Sequence, residues 1–255
     1  MIALIDYRAG NLTSVKKALA TLGADVVVPE TPSELAAARG VIVPGVGHFG
    51  ATRALDAPWI GAIRARVDEG RPLLGICLGM QWLFEGSDEA PDVPGLGLLS
   101  GRCYRLGTVR LKPDTTDGRD TTDARDTTDG RDTTDGRDTT DGRDTRAEHD
   151  GRAHDNGSVR LQADRGVKVP HVGWNSLSIE RAGASILDGI ASGSQVYFTH
   201  SYVAPVTGDA AAITDHGERF ASVVQRGHVA GVQFHPEKSG DAGLRILRNF
   251  LQLVA

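Results

Sequence analysis

Arg71-Pro-Leu-Leu-Gly-Ile-Cys-Leu-Gly-Met-Gln-Trp-Leu-Phe84 is the stretch from which the rest of the chain can be read. Its apolar run Leu73–Ile76 predicts a buried strand and residues 78–84 a helix, with Cys77 at the join between two glycines. A sharp strand-to-helix turn of this Gly-x-Cys-x-Gly form lifts a nucleophile clear of the sheet. Glycine at 75 and 79 removes the Cβ atoms that would collide as the turn tightens. The unpaired N–H groups of the helix start favour a thiolate over a thiol. A lone cysteine is most often a small buried hydrophobe, so a catalytic reading needs partners elsewhere in the chain.

Working outward, residues 2–7, 25–28 and 41–43 read as short strands. Leu12, Val15, Leu19 and Leu22 recur at spacings of three and four, an amphipathic helix with Asn11 as its N-cap and Gly23 at its end. Further helices are expected over 31–38 and 59–69. Strand and helix alternate through this first third, which implies a parallel sheet covered on both faces. Downstream, strands are expected at 103–106, within 167–179 and over 195–203, and residues 220–225 and 228–234 flank Arg226-Gly227 as a hairpin. An amphipathic helix over 243–253 closes the chain. The expected fold is a single α/β domain over 1–255, with a central mixed, mostly parallel sheet flanked by helices.

One segment does not fit that pattern. Residues 115–144 are five tandem hexads, four Thr-Thr-Asp-Gly-Arg-Asp and one Thr-Thr-Asp-Ala-Arg-Asp. Each carries two Asp and one Arg, so the five contribute −5, the whole formal charge of the protein. With no Leu, Ile, Val or aromatic residue to bury, the segment has nothing to offset its ordering entropy, and 112–156 is expected to be a disordered low-complexity insertion. Its regular Asp residues lack the spacing and distal Glu of a calcium loop, so neither metal nor cofactor is expected.

Bulk properties exclude other classes. No apolar run approaches the ~20 residues of a membrane span, and a net charge of −5 argues against a nucleic-acid binder. Two cysteines, Cys77 and Cys103, suit a reducing compartment. The start of the chain lacks a basic n-region, so a cytoplasmic location is expected.

Two further stretches carry chemistry. In Pro44-Gly-Val-Gly-His-Phe-Gly50 the backbone N–H groups around Gly47 either face an oxyanion beside Cys77 or simply form a turn. In His235-Pro-Glu237, Pro236 biases His235 towards extended backbone, where residues two apart share a face. The carboxylate then holds one ring nitrogen and leaves the other for Cys77, a nucleophile, base and orienter arrangement. His171 and His200, also near strands, are the rival bases.

Gly75-Ile-Cys-Leu-Gly-Met-Gln81 paired with His235-Pro-Glu-Lys-Ser239 resembles the class I, triad-type glutamine amidotransferases. Ile5-Asp-Tyr7 with Gly10-Asn11, the loop at 44–49, Val169-Pro-His-Val-Gly-Trp-Asn175 and His200-Ser-Tyr202 narrow the resemblance to the glutaminase subunits of imidazole glycerol phosphate synthases. The match covers nearly all of the chain outside about 107–165. It implies hydrolysis of glutamine to glutamate and ammonia by Cys77, His235 and Glu237, with an oxyanion held near Gly47 and Leu78. It implies that Gln81, Glu89 and the Ser201-Tyr202 pair grip the substrate. It also implies a heterodimer with a (β/α)8-barrel synthase subunit that uses the ammonia to make imidazole glycerol phosphate and aminoimidazole carboxamide ribotide in histidine biosynthesis. Lys238, Trp174 and Tyr197 are the candidate interface residues. Two departures stand out: the insertion, and Arg8 where such chains commonly have glycine. The alternatives are a glutaminase serving a different synthase and a non-catalytic interaction protein of the same fold.

Overall fold

The first half of the chain alternates as its pattern predicts. β1 (Ile2–Leu4), α1 (Leu12–Thr21), β2 (Val26–Val27), β3 (Gly40–Val43), α2 (Ala57–Asp68), β4 (Leu73–Ile76) and α3 (Leu78–Trp82) follow in order. The four strands lie parallel as β2-β1-β3-β4. Alternate residues feed opposite faces, as pleating requires. Ala3, Val41, Val43 and Leu73 join one apolar cluster with Ile63 of α2. Ile2, Leu4, Ile42, Leu74 and Ile76 join a second with Val15 and Leu19 of α1. A strand buried on both faces has no polar side to show, which is why these segments read as continuous apolar runs.

The structure, a computed structural model, describes residues 1–107 and 167–254; the repeat at 112–156, expected to be disordered, lies outside the described residues. After α3 come β5 (Gly86–Ser87), β6 (Arg102–Arg105), β7 (His171–Ser176), β8 (Ser178–Ile179), β9 (Gln195–His200), β10 (Tyr202–Val203), β11 (Ala210–Asp215), β12 (Arg219–Arg226), β13 (Val229–Val232) and α4 (Gly240–Val254). The main sheet runs β2-β1-β3-β4-β13-β12-β11-β8. β13 joins β4 in parallel, and the pairings beyond β13 are antiparallel, so the sheet is mixed as expected. Two small sheets, β10-β6-β5 and β7-β9, accompany it.

Several local expectations are corrected. The segment expected as a helix over 31–38 is a 3-10 turn, Pro32–Ala37, closed by a Thr31/Glu34 capping box. The strand expected over 195–203 breaks at Ser201 into β9 and β10. Asn11 precedes α1 but its side chain makes no capping bond, and its backbone is left-handed (φ 65°). Arg8 also has positive φ, 61°, which explains why glycine suits this turn; its N–H donates to Asp6 Oδ1 at 2.8 Å. At the break in the described chain, a Cβ added to Gly107 would lie 3.4 Å from Cβ of Val167. The two ends flanking 108–166 therefore sit side by side.

Candidate active site

β3, β4 and β13 are adjacent and parallel, with Val43 beside Gly75 and Ile76 beside Val232. Their carboxyl ends therefore open at one edge, where open α/β sheets place their ligands. β3 delivers the loop around Gly47, β4 delivers Cys77, and β13 runs on to Gln233 and His235. The Cys77 N–H donates to the Val232 carbonyl at 2.8 Å, tying the two chemical ends together.

The elbow has the geometry its glycines predict. Cys77 takes φ 52°, ψ −106°, a conformation that costs an L-residue on the order of 1–3 kcal/mol and persists only where its surroundings enforce it. A Cβ on Gly79 would lie 1.8 Å from the Val43 carbonyl oxygen, and one on Gly75 would lie 2.6 Å from the Gly79 oxygen. Neither position can carry a side chain without the turn opening.

His235 is fully buried, as is the side chain of Glu237. His235 Nδ1 lies 2.8 Å from Glu237 Oε1. Asn11 Nδ2 donates to the same carboxylate oxygen and sits 3.4 Å from Nδ1, so Asn11 orients the acid–base pair instead of capping α1. Nε2 is buried and has no hydrogen-bond partner among the described residues, while Cys77 is among the neighbours that lift the ring's pKa. Burial alone would pull the imidazole down; the neighbouring Cys77 and the hydrogen-bonded, negatively charged Glu237 outweigh it and raise the pKa to about 9.

A cavity of about 310 Å³ opens over the sulfur, lined by Val46, Gly47, Cys77, Leu78, Gln81, Glu89, Pro170, Thr199, His200, Ser201 and Tyr202. Every substrate and oxyanion residue expected from the sequence lines it. Glu89 Oε2 accepts from Phe49 N–H at 2.7 Å, and Gln81 Nε2 donates to the Tyr202 carbonyl at 2.9 Å. The Leu78 N–H donates to the Gly45 carbonyl at 3.3 Å, and the Val46 N–H to the Ala9 carbonyl at 2.8 Å. In this conformation one of the two expected oxyanion donors is already engaged.

The rival histidines pair with each other. His171 Nδ1 lies 3.1 Å from His200 Nε2, and His200 Nδ1 lies 3.1 Å from the Tyr202 carbonyl. Trp174, Tyr197 and Lys238 form one patch: Trp174 is exposed, its ring meets Tyr197 edge-on at 6.0 Å, and Lys238 Nζ lies 5.9 Å from the Tyr197 ring centre. Trp174 is thus not the core aromatic that a strand position can equally signify.

Two buried groups beside the sulfur have no role assigned from the sequence. Gln233 Nε2 lies 3.6 Å from Cys77 Sγ. The Tyr7 hydroxyl is buried without a hydrogen-bond partner among the described residues, so close to Gly45 that a Cβ there would lie 2.0 Å from it. Burial and the charge of Cys77 push the phenol well above its ordinary range. Among the described residues no group of three or more His, Cys, Asp or Glu is placed to hold a metal, and no helix is long and apolar enough to cross a membrane.

The family model for glutamine amidotransferase class-I matches residues 3–253. Relatives named imidazole glycerol phosphate synthase subunit HisH are similar over the full chain. The one from Moorella thermoacetica is 39% identical over 261 residues, covering 99% of this chain and 95% of the relative. That from Halobacterium salinarum is 39% identical over 264 residues, covering 100% and 94%. Among solved structures, a glutamine amidotransferase superposes with TM-score 0.61 at 19% identity, covering 100% of this chain and 99% of the other. PurLQS from Thermotoga maritima gives 0.62 at 16%, covering 100% and 98%. At these identities the structures establish the fold alone.

Proposed function

The chain belongs to the class-I glutamine amidotransferases, and we propose that it hydrolyses glutamine and delivers the ammonia to an imidazole glycerol phosphate synthase partner in histidine biosynthesis. The observation that carries this reading is a buried His235–Glu237 pair that interacts with Cys77, whose side chain lines a cavity of about 310 Å³. Full-length similarity to relatives named as the HisH subunit of that synthase supports the choice of partner.

Cys77 attacks the side-chain amide carbon and forms a tetrahedral adduct. His235, raised to about 9, is protonated at neutral pH and therefore equipped to give a proton to the departing ammonia. It then takes a proton from water, which cleaves the glutamyl thioester to glutamate. Glu237, held by Asn11, fixes the ring and stabilises its charged form. Glu89 is placed to meet the α-ammonium of glutamine, with Gln81, Ser201 and Tyr202 along the same wall. Gly47 and Leu78 hold the oxyanion. For Leu78 to do so the Gly45 carbonyl must turn away from its N–H, so the resting conformation is a poorly active one and a partner that moves the 44–47 loop activates it.

Ammonia is mostly protonated in neutral water and then no nucleophile, which favours direct transfer to a docked synthase. The partner is a (β/α)8-barrel subunit in a heterodimer, seated on the Trp174, Tyr197 and Lys238 patch. The test is to add glutamine to the chain alone and with the barrel subunit, and to seek the glutamyl thioester on Cys77 by mass spectrometry after acid quench. A thioester and ammonia release stimulated by the barrel subunit are expected. Ammonia release with no adduct on Cys77 would assign the chemistry elsewhere, and stimulation only by another synthase would redirect the partner.

A further inference from the structure

Gln233 is completely buried, follows β13 by one residue and precedes the His235-Pro-Glu237 turn by two. Its amide stands between the nucleophile and a wall residue of the cavity: Gln81 Nε2 lies 3.1 Å from Gln233 Oε1, and Gln233 Nε2 lies 3.6 Å from Cys77 Sγ. An amide can be turned end for end without changing its shape, so which end faces the sulfur must come from the hydrogen-bond chain itself.

That chain has one direction. The Tyr202 carbonyl has no proton to give, so Gln81 must turn its NH2 towards it, at 2.9 Å. The same NH2 supplies the bond to Gln233, which must answer with its oxygen. The nitrogen of Gln233 is then left to face the sulfur. The other side of the Tyr202 carbonyl is equally determined. His200 Nδ1 can only donate to it, and His200 is neutral, burial and the neighbouring His171 pulling its pKa to about 3. Its Nε2 therefore accepts from His171 Nδ1–H at 3.1 Å. His171, pulled down to about 4 by burial and His216, offers its own Nε2 to Asn175 Nδ2 at 3.4 Å. The donors of Asn175, His171 and His200 lead to the Tyr202 carbonyl, Gln81 donates both to that carbonyl and on to Gln233, Gln233 donates on to the sulfur, and a reversed Gln233 would set NH2 against NH2.

We propose that Gln233 is a positioning residue for Cys77, an amide locked as a donor to the sulfur that couples the nucleophile to Gln81. An N–H directed at sulfur favours S⁻ over S–H because a charged acceptor forms the stronger bond. It also holds the side chain on the cavity side of its strained turn. The other ionisable groups facing this sulfur are His235, with Glu237 behind it, Tyr7, and Glu89 and His200 across the cavity. All of them remain in place when Gln233 alone is changed.

The inference rests on the glutaminase reading only for its catalytic meaning, so the test uses the sulfur directly. The pH dependence of Cys77 alkylation by iodoacetamide, localised by peptide mass spectrometry, is measured on the full chain for wild type, Gln233→Met and Gln233→Glu. Gln233→Met removes the donor at similar volume; Gln233→Glu keeps the acceptor for Gln81 and puts a carboxyl where the N–H was, so it serves if the first variant fails to fold. The midpoint is expected to rise by about one pH unit in either variant. The kcat for glutamine with the barrel subunit is expected to fall about tenfold, with KM changing less. A folded variant whose midpoint is unmoved overturns the inference, even if wild type hydrolyses glutamine normally. A shifted midpoint in a chain whose wild type releases no ammonia with the barrel subunit supports the inference and overturns the glutaminase reading instead.

Discussion

His200 and His235 are both buried beside the same cavity, and burial acts on both rings in the same sense, yet they end at opposite extremes. Among the described residues the His171–His200 pair hydrogen-bonds only to uncharged partners: each other, the amide of Asn175 and the carbonyl of Tyr202. Desolvation therefore prevails, and the rings fall to about 4 and about 3. His235 meets a buried carboxylate and a cysteine, and rises to about 9 despite the same penalty. Depth in the fold does not select the base; the anionic partner does. This is why three strand-associated histidines separate into one candidate acid–base group and two neutral structural groups.

The comparison breaks first at the level of rate. His235→Asn is expected to lower glutamine hydrolysis with the synthase partner by about 10³-fold, within the range of a lost acid–base group, while His200→Asn costs less than about tenfold. Comparable losses in steady-state ammonia release would erase the distinction. Glu237→Gln should lower turnover by about 10²-fold. The same change should bring the His235 titration, followed by histidine NMR, down from about 9, since burial and Cys77 remain while the carboxylate is gone. A midpoint that stays put would mean that Glu237 does not set it.

Stability should carry both signs at once. The raised His235 contributes stability fully present below its unfolded value of 6.5 and lost as pH rises through about 9. The lowered His171 and His200 act oppositely: stability is retained above 6.5 and lost as pH falls towards about 4 and about 3. Denaturant unfolding from pH 4.5 to 9.5 should therefore peak near pH 6.5, with on the order of 2 kcal/mol lost along the alkaline limb. Glu237→Gln should flatten that limb and leave the acid one. The smallest effect is expected from deleting residues 112–156. The flanking ends lie side by side at Gly107 and Val167 and closure entropy varies only logarithmically with length, so both limbs should stay within about 0.5 kcal/mol of the full chain.

What was legible in the sequence was local. The elbow is written in the spacing of Gly75, Cys77 and Gly79, and the His235–Glu237 pair in an i, i+2 relation across a proline. The β3, β4 and β13 strands announce themselves as apolar runs because both faces are covered. What escaped depends on contacts with no sequence period. Asn11 has the residue type and position of a cap, but its amide is drawn to Glu237, 226 residues away. Gln233 reads as a polar residue at a strand end until Gln81, 152 residues distant, defines its orientation. The Leu78 N–H has the place of an oxyanion donor, yet a neighbouring carbonyl takes it in the resting loop. The expected strand over 195–203 shows no local breaker at Ser201, and the break follows from Tyr202 pairing with Arg105 of β6.

The central claim is that the sulfur of Cys77 is the nucleophile served by His235. It is tested most directly by measuring ammonia release from glutamine by wild type and by Cys77→Ala, each mixed with the (β/α)8 synthase subunit and checked for an unchanged circular dichroism spectrum. The account predicts release that the partner stimulates in wild type and that falls to background in the variant. Release that persists undiminished in a folded Cys77→Ala protein would contradict it.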